Sequence, residues 1–108
     1  MTQPLPQALA AYFAAKNRQD IDTALASFVE TATVKDEAKE RRGLAEIREW
    51  MEKTRHDYND TAEVQGVVRD DQTYTVTALV SGTFPGSPVS LDFRFTLVEG
   101  RISHLEIG

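Results

Sequence analysis

The hydrophobic pattern changes its period near Tyr58, and that change limits the possible folds more than any other feature of the chain. Before it, apolar residues recur at helical spacing; after it, they alternate. In the first half, Leu5, Leu9, Tyr12, Phe13 and Lys16 fall at spacings of four, three, one and three, which is one face of a helix. Pro6 suits its first turn, where a missing N–H costs nothing. Lys16 is the odd member of this face. It either pairs with an acid inside or lays its stem along the face and snorkels outward, and snorkelling is the expectation. Asp20 is placed to cap a second helix, with Ile21, Ala24, Leu25, Phe28 and Val29 as its apolar side. Thr31 to Val34 is β-branched and reads as a short strand leading to Asp36. A charged loop follows. A third helix beginning near Gly43 presents Leu44, Ile47, Trp50 and Met51, with Thr54 in line, on one side and Glu46, Arg48, Glu49, Glu52 and Lys53 mostly on the other. Met1 to Gln3 read as a frayed start.

In the second half, Thr61 to Arg69 reads as a strand with Ala62, Val64 and Val68 in phase and a bulge at Gly66, and Asp70-Asp71 as a turn. Thr73 to Phe84 is the longest alternating run, with Tyr74, Val76, Ala78, Val80 and Phe84 on one face and Thr73, Thr75, Thr77, Ser81 and Thr83 on the other. Phe84-Pro85-Gly86-Ser87-Pro88 is the strongest turn signal in the chain. Val89 to Leu97 alternates again, Glu99-Gly100 turns, and Arg101 to Ile107 closes the pattern. Three N-terminal helices packed on a strongly curved antiparallel sheet make an α+β cone, a single domain over residues 1–108, whose open end is a natural pocket. The Ser/Thr face of the sheet is either solvated or the wet interface of a homodimer.

Composition narrows the functions. Hydrophobic residues at 41% and charged residues at 27% describe an ordinary globule. No apolar run approaches the ~20 residues of a membrane span, so no membrane partner is expected and the cytoplasm is the expected location. The absence of cysteine fits that and excludes disulfides, thiolate metal sites and a cysteine nucleophile. A formal net charge of -5 argues against nucleic acid. Lys39, Arg41 and Arg42 are interleaved with Glu37 and Glu40 and read as a solvated loop. His56 and His104 have no ligand spacing, so no metal is expected, and no cofactor fingerprint is present. His56 near a helix end suits the helix dipole, and a hydrogen-bonding role at the cone mouth is open to His104. The serines lie in no nucleophile-elbow context.

Asp36 is the first residue to ask about chemistry. At a cavity wall, desolvation raises a carboxyl pKa and makes a usable base for a proton next to a carbonyl. The alternative is an exposed loop acid, or one bridged to Lys16 or Arg42. Tyr12 is either a buried tyrosine with a satisfied hydroxyl or, if it shares a cavity with Asp36, an electrophilic donor. Phe28, Trp50, Tyr58, Tyr74, Phe93 and Phe95, with Lys16, Val34 and Leu91, are the expected pocket lining, although a domain of this size must spend some of these aromatics on its core.

Several stretches resemble one family in order along nearly the whole chain. They are Tyr12-Phe13-Ala14-Ala15-Lys16-Asn17 with Asp20 and Asp22, Val34-x-Asp36-Glu37, Gly43-x-Ala45-x-Ile47, Val80 to Pro88, and Phe93-Arg94-Phe95. They are similar to SnoaL-like proteins of the nuclear-transport-factor-2-like superfamily, which includes ketosteroid isomerases and polyketide cyclases. The resemblance implies a cone-shaped roll, a dimer, Asp36 at the isomerase's base position and Tyr12 at its first-helix oxyanion donor; the isomerase is a standard example of an Asp base beside a Tyr and a protonated Asp. The chain departs from the isomerase where its second acid would stand, two residues before Phe-Arg-Phe. Leu91 is there, and Asp92 faces the other side of the sheet. The Asp36–Gly43 loop is shorter, and Glu37 replaces a proline. Since an oxyanion donor is typically worth about 10²–10³ in rate, efficient steroid isomerisation is not expected. Two functions follow: cofactor-independent proton transfer on a small apolar carbonyl compound, or a non-catalytic dimeric module for a small hydrophobic ligand or a protein partner.

Overall fold

A computed structural model describes residues 5–108; the expected frayed start at Met1 to Gln3 lies outside the described residues. The elements run α1 (Gln7–Asn17), α2 (Ile21–Leu25), β1 (Phe28–Asp36), β2 (Lys39–Arg42), α3 (Gly43–Tyr58), β3 (Thr61–Asp70), β4 (Thr73–Ser81), β5 (Val89–Val98) and β6 (Arg101–Ile107). Helix α1 starts directly after Pro6, whose carbonyl accepts from the N–H groups of Leu9 and Ala10. It buries Leu9, Tyr12, Phe13 and Ala15. Asp20 caps α2, accepting from Thr23 N–H at 3.2 Å and from its hydroxyl at 2.6 Å.

Helix α2 is shorter than its apolar pattern suggests. Phe28 and Val29 were expected on its face, but both belong to β1. Sheet pairing overrides the helical period here: Ile102 N–H donates to Ser27 C=O at 2.8 Å, and Phe28 sits opposite Ile102. The expected charged loop after Asp36 is largely a hairpin. Glu37 and Ala38 form its two-residue turn with φ 55 and 61, and Lys39 pairs with Asp36.

The six strands form one sheet in the order β2-β1-β6-β5-β4-β3. It is antiparallel, as expected, except where β1 runs parallel to β6. The register shifts between Val64 and Gly66, where a bulge was expected, and again between Thr96 and Leu97, and such bulges help a sheet to curl. Strand β4 ends at Ser81 rather than reaching Phe84. Its continuation turns away to meet α3, and Thr83 N–H donates to Tyr58 C=O at 2.7 Å. Only glycine fits at position 82, where a Cβ would lie 2.5 Å from that same carbonyl.

The concave face of the sheet meets the helices in a core that includes Ala32, Val34, Ile47, Val76, Ala78, Phe95, Ile102 and Leu105. Tyr12 anchors its aromatic part, edge-on to Phe13, Phe28 and Phe95 at 5.2, 5.7 and 5.6 Å. Burying each such large side chain stabilises the fold by about 1.5–3 kcal/mol. No described helix is long and apolar enough to cross a membrane.

Candidate functional site

Two helices and one hairpin bring the polar side chains together. On α1, Tyr12 and Lys16 are one turn apart and project the same way; on α3, Trp50, Thr54 and Tyr58 do the same. Asp36 reaches the site from the end of β1, and Asp60 from the junction of α3 and β3, just after Asn59 ends the helix in the left-handed conformation. With the apolar side chains of Val80, Leu91, Phe93 and Ile107 opposite, these residues enclose a cavity of about 600 Å³. Phe84, Pro85 and Val89 help to line it, as does Glu37.

Asp36 is half-buried, and Trp50 Nε1 donates to its Oδ2 at 3.0 Å. Burial pushes its carboxyl pKa above the ordinary Asp value and Glu37's charge adds to this, while the Trp50 bond, Arg41 and the Glu37 N–H oppose it. Tyr12 is 2% exposed, yet its hydroxyl has no partner among the described residues and opens on the cavity. Burial, followed by the charges of Asp60 and Asp36, drives its pKa far above the usual phenol value. Tyr12 is therefore a neutral donor throughout the working pH range. Tyr58 donates weakly to Glu37 Oε1 at 3.4 Å.

Lys16 does not snorkel outward, which corrects the expectation from the sequence. Its ammonium lies 2.9 Å from Asp60 Oδ2, with only 16% and 10% of the two side chains exposed. Neighbouring Asn17 fixes this geometry by clamping Ala62, donating to its C=O and accepting from its N–H, both at 2.8 Å. Lys16 therefore pairs with neither Asp36 nor solvent.

Of the expected lining, Lys16, Trp50, Tyr58, Leu91 and Phe93 do face the cavity, together with Tyr12 and Asp36. Phe28, Val34 and Phe95 do not, because they are fully packed in the core beneath it. Tyr74 does not either. It lies towards the other end of β4, where the Arg69 guanidinium stands 5.6 Å over its ring. His104 is not at the mouth; its Nδ1 pairs with Thr33 Oγ1 at 2.6 Å on the outer side of the sheet. His56 is exposed beside Asp57. Among the described residues, no group of three His, Asp or Glu is arranged to hold a metal ion.

The sequence reading missed Asp60 and the Phe84–Pro85 rim as parts of the site. For Asp60 one signal was available: a lysine on an otherwise apolar helical face implies an acid within reach.

The SnoaL-like domain matches residues 9–105. A candidate polyketide cyclase from Sinorhizobium meliloti is 36% identical, with 96% of this chain and 95% of that one covered and a TM-score of 0.94. Two more distant structures share the fold. The epoxide hydrolase/cyclase-like enzyme SalBIII of salinomycin pyran ring formation is 24% identical over 94% of this chain and 86% of its own, with a TM-score of 0.82. A Catenulispora acidiphila protein with a ketosteroid isomerase-like fold, in complex with trimethylamine, is 18% identical over 97% of this chain and 86% of its own, with a TM-score of 0.84. No curated protein matches the sequence. A match over nearly the whole chain, on a fold shared with proteins named for cyclase and isomerase-like relatives, identifies this chain as a member of the SnoaL-like domain family.

Proposed function

We propose that the protein binds a small apolar carbonyl compound in this cavity and moves a proton on it without a cofactor. Asp36 takes the proton next to the carbonyl, and Tyr12 donates to the oxygen on which negative charge develops. The observation that carries this reading is the Tyr12 hydroxyl: the tip of a buried side chain, it has no protein partner among the described residues and opens on the same cavity as the Asp36 carboxylate. The Lys16–Asp60 pair flanks the donor and supplies no second neutral one.

The test is solvent deuterium exchange into the α-positions of cyclic ketones and small β-diketones, followed by NMR. Wild type is expected to exceed the buffer rate. Asp36→Asn should lower the enzymic rate by about 10²–10⁴ and Tyr12→Phe by about 10²–10³. Exchange unaffected by Asp36→Asn would refute the assignment of the base.

One observation favours the alternative of a non-catalytic ligand-binding module. Leu91, an apolar side chain, lines the cavity where the isomerase has its second acid. Wild-type exchange at the buffer rate for every compound that binds would establish that reading instead. Under either reading we propose a homodimer through the outer face of the sheet, a face that Thr75, Thr77, Ser90 and Asp92 make polar.

A further inference from the structure

Carboxylates outnumber cations around the cavity. Asp36, Asp60 and Glu37 line it with three carboxylates, and Lys16 is the one cation among the lining residues. That ammonium is committed to Asp60. Arg41 turns its guanidinium to the main-chain carbonyls of Asp36 and Lys39 and does not line the cavity. Lys53 is bound to Asp57. Asp36 is thus held by the Trp50 indole and the Glu37 N–H, with no cation at ion-pair distance among the described residues.

A separate observation points to a ligand in this space: Tyr12, a side chain only 2% exposed, opens its hydroxyl on it without a protein partner among the described residues. The facing wall of Val80, Phe84, Leu91 and Phe93 is apolar. We infer that the natural occupant is a compact apolar molecule carrying one positive charge, a protonated amine that meets Asp36 and Glu37 as Lys16 meets Asp60.

An occupant expels water that now screens these carboxylates. A neutral molecule would leave Asp36 further desolvated and uncompensated, and an anion would add like-charge repulsion in a medium where charges act more strongly. An ammonium removes both penalties, and aromatic rings such as those of Trp50 and Tyr58, which line the cavity, attract a cation. The inference rests on the small-molecule reading above and specifies the charge of the substrate. A cation at Glu37 also keeps Asp36 ionised, the form that accepts a proton.

The experiment titrates benzylammonium, benzyl alcohol and benzoate at neutral pH into ¹⁵N-labelled protein. Trp50 is the only tryptophan, so its indole N–H signal reports on the Asp36 bond without ambiguity. Benzylammonium is expected to bind at least tenfold more tightly than benzyl alcohol, with benzoate weakest. That preference should shrink several-fold in Asp36→Asn and in Glu37→Gln, the latter on an exposed turn where folding is not at stake. Equal affinities, a preference for benzoate, or an ammonium preference that survives in both variants would overturn the inference. The ketone exchange assay separates the two readings. Exchange activity without a charge preference leaves proton transfer standing and removes the amine, whereas a charge preference without exchange does the reverse. If no compound moves the Trp50 signal, the amine falls, and the exchange assay alone decides proton transfer.

Discussion

Asp36 stands at a point where function and stability pull apart. Its folded-state pKa lies above its unfolded value, so the folded chain holds that proton more readily than the unfolded one. The resulting stabilisation is complete below the unfolded value, ~3.9 for Asp, and is lost as pH rises through the folded value. At neutral pH the ionised carboxylate therefore lowers stability. Asp36→Asn, which keeps an oxygen for the Trp50 N–H, should match wild type in thermal midpoint below about pH 4. It should become the more stable protein as pH climbs to neutrality. Paired thermal melts across pH 3.5–7.5 check this, and a wild type that gains on the variant with rising pH would mean that Asp36 is satisfied rather than desolvated. Its part in the sequence pattern, a carboxylate at a strand end between apolar elements, was legible. For Asp60, Lys16 on an apolar face implied an acid within reach but not which one, because the pair spans 44 positions. Long-range pairings of that kind leave no local period.

Element by element, the sequence predicts best where one face of a helix or strand meets the core. Helices α1 and α3 and the strands after Tyr58 form close to where their hydrophobic periods place them, except that the register shift at Gly66 turns Val68 to the open face, out of phase with Ala62 and Val64. The failures come where a partner strand decides. Phe28 and Val29 fit a helical face by spacing but are taken by pairing with β6, and β4 stops early because Gly82 must pass close to the end of α3. The charges of Lys39, Glu40, Arg41 and Arg42, read as a solvated loop, instead lie on a short edge strand, where such residues discourage pairing with another chain. Junctions between elements are secured by single side chains, of which Asn17 is the clearest. It serves the Ala62 main chain as another strand would. Asn17→Ala leaves that N–H and C=O without their protein partners and should cost about 1–3 kcal/mol in a urea titration. A loss under ~0.5 kcal/mol would mean that water replaces the clamp without penalty.

For the whole molecule, the helices cover one face of the sheet and leave the other open. Val68 is 69% exposed, opposite Thr75 on that open face, an apolar point in a hydroxyl-rich surface. Sedimentation equilibrium should return twice the mass of one chain, and Val68→Asp should shift the protein towards monomer while leaving its fold, read by circular dichroism, intact. A single-chain mass for wild type would reject a dimer through the sheet. The sheet order has a different consequence, in time rather than space. Strand β1, which carries Asp36, joins the body of the sheet only through β6, with Thr33 and His104 bonded 71 positions apart. A chain emerging from the ribosome can therefore form the β1–β2 hairpin and all three helices long before the strand that anchors them exists. Until that strand appears, Phe28 and Val34 lack their β6 partners, the chain is prone to aggregate, and the wall bearing the acid has no fixed place. The cavity is thus among the last parts of the molecule to take shape: any activity that depends on it begins only once synthesis has passed its final strand.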